Sequence, residues 1–399
     1  ATYGSNPLWD KGADGPWLLS AFNISGEATF VPNPHYSGPQ KPYLDRFVEV
    51  PYTSDGAEYS ALEAGGPGAP DVGYLPSEDS PAKPSGAGPL VAGPNPSSLS
   101  GKYGLVVAPA WTINYFPENF ASTKGADGHA GMVFKQLYIR QALQELVDQP
   151  GMISNYLKGY GVPTYGPVPV YPKNPFATGL ELEPEGPYPF SPSNAVDLLK
   201  SHGWDVKPGG ASTCSKAGTG AGECGAGIPA GTPLKFSEVY VSGSQTISQI
   251  VDYEVSEWSK AGIDVTTTQN TFDGVLSVAV PCVPSVTPAC TDWDMANWGG
   301  GWTFAPDYLP TGEEIFATGA GSNSGNYSDA TDDRLIVATN KGSSSAVFAQ
   351  WGNYLAEQLP VIWQPQTVTE DEVADNLKGV TPFNALGDVT PEYWYFTKS

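Results

Sequence analysis

The chain has 399 residues, enough for one large domain or two to three ordinary ones. Aromatic residues make up 12% and charged residues 15%, which excludes a disordered chain even though 47 glycines and 39 prolines make it rich in loops. A formal net charge of −23 disfavours nucleic acid and anionic membrane surfaces as partners. Arginine occurs only three times, which argues against an enzyme that acts on phosphates.

Neither a membrane-spanning segment nor a leader peptide is predicted. No run of about 18 apolar residues occurs. The chain starts at Ala1 without a basic stretch followed by an apolar one. We therefore expect a mature or truncated piece of a soluble protein.

The first part of the chain predicts short strands separated by turns. Strands are predicted at residues 28–31 and 47–52, followed by a helix at 55–64 with Asp55 as its N-cap. Proline, glycine and serine dominate residues 76–101, which we interpret as a surface connection.

Helices and strands alternate in the rest of the chain. Apolar residues at helical spacing predict four helices, at residues 132–148, 192–203, 244–261 and 345–359. Strands are predicted at residues 263–268, 292–298 and 360–368. The mixed order indicates an α/β or mixed α+β fold.

Four cysteines form two local pairs, which are Cys214 with Cys224 and Cys282 with Cys290. Zinc ligands are usually two to four residues apart and no histidine is near either pair, so two disulfides are predicted in an oxidising compartment. They would pin surface insertions near residues 209–231 and 281–291, outside the core.

Motifs that carry chemistry are sparse. A G-x-S-x-G elbow and a P-loop are absent, and the one G-x-G-x-x-G lies inside the first insertion with no strand before it. The three histidines, His35, His129 and His202, are dispersed. No metal and no cofactor is therefore expected.

Acidic residues leave alternatives open. Asp292 with Asp294 on one strand, or Glu313 with Glu314 in a helix, are candidates for a glycosidase pair. Nothing in the sequence sets their separation, and solvated acidic faces are the favoured interpretation. The cluster at residues 329–333 suggests either calcium or, more simply, a helix N-terminus.

An aromatic and glycine-rich segment, residues 298–308, follows a predicted strand. Trp298 and Trp302 flank three glycines, which would let the backbone approach a ligand between two indoles. A tight core turn with buried tryptophans is the alternative.

Several segments in order resemble the family 5 extracellular solute-binding proteins, the peptide and nickel class of ABC importers. The matching segments are residues 14–17 (DGPW), 33–38 (NPHYSG), 59–72, 139–161 with IRQAL and KGYG, and 191–204 ending in GW. The resemblance implies a periplasmic-binding-protein-like type II fold with two lobes. Lobe one would comprise residues 1–115 and 369–399, and lobe two residues 116–368. About the N-terminal third of a typical family member is expected to be absent here, so lobe one is expected to be incomplete.

The same resemblance implies a monomeric receptor, not an enzyme. It would act outside the cell or in the periplasm, anchored to the outer face of the cytoplasmic membrane, and deliver a small molecule or oligopeptide to the membrane subunits of an ABC transporter. Its candidate ligand-binding residues are Tyr115, Asn119, Tyr240, Trp298, Gly300, Gly301 and Trp302.

The ligand is predicted to be peptide-like or otherwise mostly uncharged. Peptide binders of the family have an Asp where Gly301 stands here, and often an Arg in the turn that here spans residues 240–244. A buried charged terminus without a partner is costly, so the loss of both groups disfavours short zwitterionic peptides. An extracellular glycosidase and a cell-surface adhesion module remain the alternatives.

Overall fold

The computed structural model describes residues 14–83, 99, 101–304, 313–341, 344–380 and 389–397. The chain divides into two compact units, one of residues 1–110 with 368–399 and the other of residues 111–367. Within the described residues, no helix has the length and apolar character needed to cross a bilayer. Most of the segment at 76–101 that we interpret as a surface connection lies outside the described residues.

The strands are short. In chain order they are β1 (Trp17–Phe22), β2 (Ala28–Pro32), β3 (Phe47–Glu49), β4 (Val72–Tyr74), β5 (Tyr103–Ala108), β6 (Thr112–Phe116), β7 (Gly161–Val162), β8 (Trp204–Asp205), β9 (Thr213–Cys214), β10 (Lys235–Val241), β11 (Asp264–Asn270), β12 (Met295–Asn297), β13 (Gly301–Thr303), β14 (Ile362–Gln364), β15 (Gln366–Thr367), β16 (Thr369–Ala374), β17 (Leu377–Lys378) and β18 (Tyr395–Phe396).

The helices occur mainly in the larger unit. They are α1 (Asp55–Ala64), α2 (Gly125–Gly128), α3 (Ala130–Phe134), α4 (Leu137–Gln144), α5 (Gln149–Asn155), α6 (Pro192–Ser201), α7 (Gln245–Lys260), α8 (Phe272–Val278), α9 (Glu313–Phe316), α10 (Ala330–Lys341) and α11 (Ser345–Gln358). The predicted mixture of helices and strands is confirmed.

The unit of residues 1–110 and 368–399 is built on two antiparallel sheets of three strands. Their orders are β1-β2-β3 and β4-β16-β5, and β17 pairs with β18 in a separate ribbon. A small apolar core contains Val106, Val373, Leu377 and Trp394.

The unit of residues 111–367 contains a parallel sheet, β11-β10-β12, and an antiparallel sheet, β13-β6-β14. Helix α7 begins where the Ser244 side chain accepts a hydrogen bond from the Ile247 amide. It buries Val251 and Trp258, and Trp258 belongs to the main core, which also contains Met295. A second core, with Val275 and Trp293, includes residues of α8 and of the segment before β12.

Two sequence predictions about helices need correction. The predicted helix at residues 132–148 is divided into α3 and α4 because Gln136 is extended, and Asp148 instead caps α5 by accepting a hydrogen bond from the Gly151 amide. Helix α1 is capped by Ser54, one residue before the predicted Asp55, since the Ser54 side chain accepts from the Ala57 amide.

The disulfide between Cys214 and Cys224 is present, as predicted. Its surroundings differ from the prediction, because both cysteines are buried in the main core rather than in a surface insertion. Strand β9 pairs with β8, and the Tyr138 hydroxyl donates to the Cys224 carbonyl at 2.6 Å. The disulfide therefore anchors the insertion in the core, while most of the residues between and after the two cysteines are exposed, as predicted for a surface insertion.

The second predicted disulfide is not formed, because Cys282 and Cys290 are free thiols in the structure. The Cys282 thiol instead contacts the Cys290 carbonyl oxygen at 3.5 Å. The loop between them is closed by backbone hydrogen bonds from Val286 to Val283 and from Cys290 to Val286. These contacts hold the loop without a covalent link.

Candidate functional site

The site begins at the turn that links two sheets of the larger unit. Strand β12 ends at Asn297, whose side-chain oxygen accepts a hydrogen bond from the Gly299 amide at 2.9 Å. Gly299 has a φ of 81°, and a Cβ there would meet Ile247 and Val241. The turn therefore needs glycine at this position. Trp298 lies in the turn before β13, and Trp302 lies in β13 itself.

The two other glycines of this turn differ in the space that a Cβ atom would have. Gly301 pairs with Asn114 on β6, and a Cβ on Gly301 would collide with the Ile113 carbonyl oxygen. Nothing lies within 4 Å of the corresponding Cβ position on Gly300. The glycine at 301 is thus explained by close packing of two strands, and not by the approach of a ligand as the sequence suggests.

A cavity of about 560 Å³ opens beside this turn. Its lining forms an aromatic wall, an aliphatic wall and a polar wall. The aromatic wall comprises Tyr115, Trp298 and Trp302, with Gly301 and Thr303 between them; the aliphatic wall comprises Leu276, Ala279, Val280 and Pro281; the polar wall comprises Glu313, Glu314, Ile315, Gly321, Ser322 and Ser324.

Tyr115 is the most enclosed member of the aromatic wall. It is 5% exposed, and its ring meets the Trp298 ring edge-on at 5.8 Å between centroids. Phe316 and Trp363 contact the same ring at 6.2 and 6.4 Å. Burial raises the pKa of the Tyr115 hydroxyl well above its usual value, so the group stays protonated and can donate a hydrogen bond.

The polar wall carries two carboxylates. Glu313 and Glu314 lie in the short helix α9, and the Glu313 carboxylate accepts a hydrogen bond from the Asn340 side chain at 2.8 Å. Ser322 donates its amide to the Glu314 carbonyl at 3.0 Å, which ties this wall together. None of the described residues that line the cavity is basic.

The structure brings together four of the seven predicted ligand-binding residues, Tyr115, Trp298, Gly301 and Trp302. Gly300 lies in the same turn without lining the cavity. Asn119 and Tyr240 lie apart from it. Asn119 is fully buried and donates to the Cys290 and Trp293 carbonyls, so its amide holds the chain segment before β12 in place.

Asp292 and Asp294, one of the carboxylate pairs considered for a glycosidase, lie in different surroundings. Asp292 is exposed, whereas Asp294 is 1% exposed. Asp294 accepts four hydrogen bonds, from the Ser122 hydroxyl, the Gly125 amide, and both the amide and hydroxyl of Ser237, at 2.6–2.9 Å. Its carboxylate therefore joins a loop to β10 and is not presented to a substrate.

The acidic cluster at residues 329–333 forms a helix N-terminus, the simpler of the two sequence interpretations. The Asp329 side chain accepts from the amides of Thr331 and Asp332, and from the Tyr354 hydroxyl. Asp332 is buried and accepts from the Trp351 indole at 3.1 Å. Within the described part of the chain, no group of three or more His, Cys, Asp or Glu residues is placed to hold a metal ion.

The aliphatic wall is not predictable from the sequence. Residues 279–281 border the predicted insertion at 281–291, and no helical or strand periodicity marks them. The structure shows that helix α8, next to these residues, leaves Phe272 and Leu276 51% and 39% exposed although both are large and apolar. Glu313 and Glu314 were identified from the sequence, but as candidates for a glycosidase pair and not as residues that line a binding cavity.

The sequence as a whole matches a family model. The model of bacterial extracellular solute-binding proteins, family 5, matches residues 12–317, well over half of the chain. The chain belongs to this family. No curated protein shows significant similarity to it.

Solved structures show the same fold. The oligopeptide-binding protein AppA from Bacillus subtilis, solved with a nonapeptide, is 19% identical with a TM-score of 0.71, over 100% of this chain and 70% of AppA. NikZ from Campylobacter jejuni, solved with Ni(L-His), is 17% identical with a TM-score of 0.68, over 95% of this chain and 67% of NikZ. The Escherichia coli murein tripeptide binding protein MppA is 17% identical with a TM-score of 0.66, over 96% and 64% of the two chains. The chain thus has the periplasmic-binding-protein fold predicted for it and spans roughly two thirds of these proteins.

Proposed function

We propose that this family 5 protein is an extracellular receptor that binds a peptide-like or other mostly uncharged solute and delivers it to an ABC importer without altering it. The observation that carries the proposal is the cavity of about 560 Å³, walled by Tyr115, Trp298 and Trp302, in a chain of a solute-binding family. A cavity of this size and aromatic character is typical of small-molecule sites.

Three structural relatives support the ligand class. AppA was solved with a nonapeptide, NikZ with a nickel–histidine complex, and MppA is named for a murein tripeptide. Peptides fit this chain better than nickel, because no histidine lines the cavity in the described residues. We further propose that the protein acts as a monomer tethered at the outer face of the cytoplasmic membrane.

Titration calorimetry with peptide and oligosaccharide sets tests the proposal. We expect at least one set to bind, and Trp302→Ala to weaken that binding about tenfold or more, because truncating a stacked indole removes about 1–3 kcal/mol. Trp111→Ala, a half-buried indole that does not line the cavity, is the matched control. Equal affinity of the wild-type protein and Trp302→Ala would exclude this wall from the binding site.

A further inference from the structure

The polar wall of the cavity carries charge that the predicted uncharged ligand does not use. Glu313 and Glu314 both line it, and no basic side chain does so among the described residues. Asn340 donates to Glu313, which orients the carboxylate but does not neutralise it. Two carboxylates facing a shared concave space favour a positively charged guest.

A second, independent feature lies at the aromatic wall. Tyr115 is 95% buried and lines the cavity, yet its hydroxyl makes no hydrogen bond with any described residue. The ring is enclosed by protein, but the hydroxyl has no partner among the described residues and is available to a guest in the cavity. A ligand nitrogen that donates to the Tyr115 oxygen would supply the missing partner.

The aromatic rings add to the same preference. Trp298 and Trp302 border the cavity together with Tyr115, and an indole ring attracts a cation that lies over it within about 6 Å of its centroid. The aliphatic wall, Leu276, Ala279, Val280 and Pro281, offers only apolar side chains. A guest with one charged end and an apolar body matches both sides of the cavity.

We propose that this cavity selects an amphipathic cation, a ligand whose single protonated amine or guanidinium is held by Glu313, Glu314 and the Tyr115 hydroxyl while its apolar body lies against α8 and residues 279–281. This inference rests on the proposed receptor function and narrows its ligand class. The ligand remains neutral apart from that one group.

The test compares three probes by titration calorimetry at pH 7. The first is a leucyl-phenylalanine amide with a free N-terminus, the second is its N-acetylated form, and the third is acetyl-lysyl-phenylalanine amide. The first or third probe is expected to bind about tenfold or more tightly than the second, since carboxylates and indoles each favour the cation. Comparing the first with the third shows whether the charge comes from a terminus or a side chain.

Substitutions show which residues cause the preference for the cationic probes. Glu313→Gln and Glu314→Gln combined should reduce the preference for the cationic probes to near onefold, and Tyr115→Phe should reduce it several-fold. Glu357→Gln, an exposed residue of α11 that does not line the cavity, should leave it unchanged. Equal binding of the neutral and cationic probes, or a preference that survives the double variant, would overturn the inference and leave the receptor function intact. Failure of all three probes and of the wider peptide and oligosaccharide sets would overturn the receptor function itself.

Discussion

The rings of Tyr115 and Trp298 meet edge to face at 5.8 Å between centroids with an interplanar angle of 85°. Tyr115 belongs to β6, and Trp298 to the turn between β12 and β13, so this contact joins the two sheets of the larger unit at the cavity. Aromatic pairs in this arrangement contribute about 0.5–1.5 kcal/mol beyond their burial. The aromatic wall is therefore a rigid part of the fold.

The turn glycines give a matched pair of substitutions. We expect Gly301→Ala to destabilise the protein by about 2 kcal/mol or more, because the new methyl collides with the Ile113 carbonyl. Gly300→Ala should change the free energy of unfolding by less than about 0.5 kcal/mol, since its Cβ position is open. Urea denaturation measures both, and similar losses in the two variants would refute the strand contact.

Asp294 should matter for stability, in contrast to its neighbour Asp292. Asp294→Ala leaves donors of the buried Ser122 and the half-buried Ser237 without an acceptor, and we expect a loss of about 3 kcal/mol or more in the free energy of unfolding. Asp292→Ala, at an exposed position, should be nearly neutral. Denaturation curves of the two variants separate these outcomes, and equal stability would contradict a structural role for Asp294.

Buried carboxylic acids predict that stability falls as pH rises. Burial raises the pKa of Glu238 to about 8, and burial together with the nearby Glu238 raises the pKa of Glu254 well above its usual value. Between the ordinary pKa of 4.5 and about 8, the folded chain keeps the Glu238 proton that the unfolded chain releases. The contribution of protonated Glu238 to the free energy of unfolding is fully present below pH 4.5 and is lost as the pH rises toward 8.

The slope of that loss is the observable. Each such group contributes about 1.4 kcal/mol per pH unit to the free energy of unfolding within its window. Glu238→Gln should reduce the slope measured by urea denaturation between about pH 5.5 and 7.5, whereas Glu185→Gln, at an exposed position, should not. An unchanged slope in Glu238→Gln would show that this carboxyl is ionised in the folded protein.

The thiols of Cys282 and Cys290 can be counted directly. Without reductant, the denatured protein should react with two equivalents of iodoacetamide, since only Cys214 and Cys224 are bonded. In the folded protein Cys282 should react slowly, because burial, with contributions from Cys290, raises its pKa to about 12. Buried Cys290 should stay protected. Absence of any alkylation after denaturation would mean that a second disulfide forms.

Periodicity predicted the elements better than the site. Helix α7 and strand β11 follow closely from the apolar stripe of residues 244–261 and the strand pattern after it. The break between α3 and α4 was missed because apolar spacing continues across Gln136, where only the backbone conformation changes. Such breaks depend on tertiary packing, which a local pattern does not contain.

The aromatic wall was predictable and the remainder of the cavity was not. Two tryptophans around three glycines mark an unusual turn in any sequence, and the structure places both at the cavity. Leu276 and Glu313 are far apart along the chain, and the fold brings both to the same cavity. Asn119 was predicted to bind ligand, but its side-chain amide donates to two backbone carbonyls in the core, which its position in the sequence did not reveal.

Native mass spectrometry of protein purified from rich medium tests the central claim, that the cavity of the larger unit binds a solute, most directly. We expect one bound molecule per chain, and its loss in Ser322→Trp, where an indole on an exposed position would fill the cavity. Ser193→Trp, exposed on α6, should retain the bound mass. A solute that remains bound to Ser322→Trp as it does to Ser193→Trp would contradict the account.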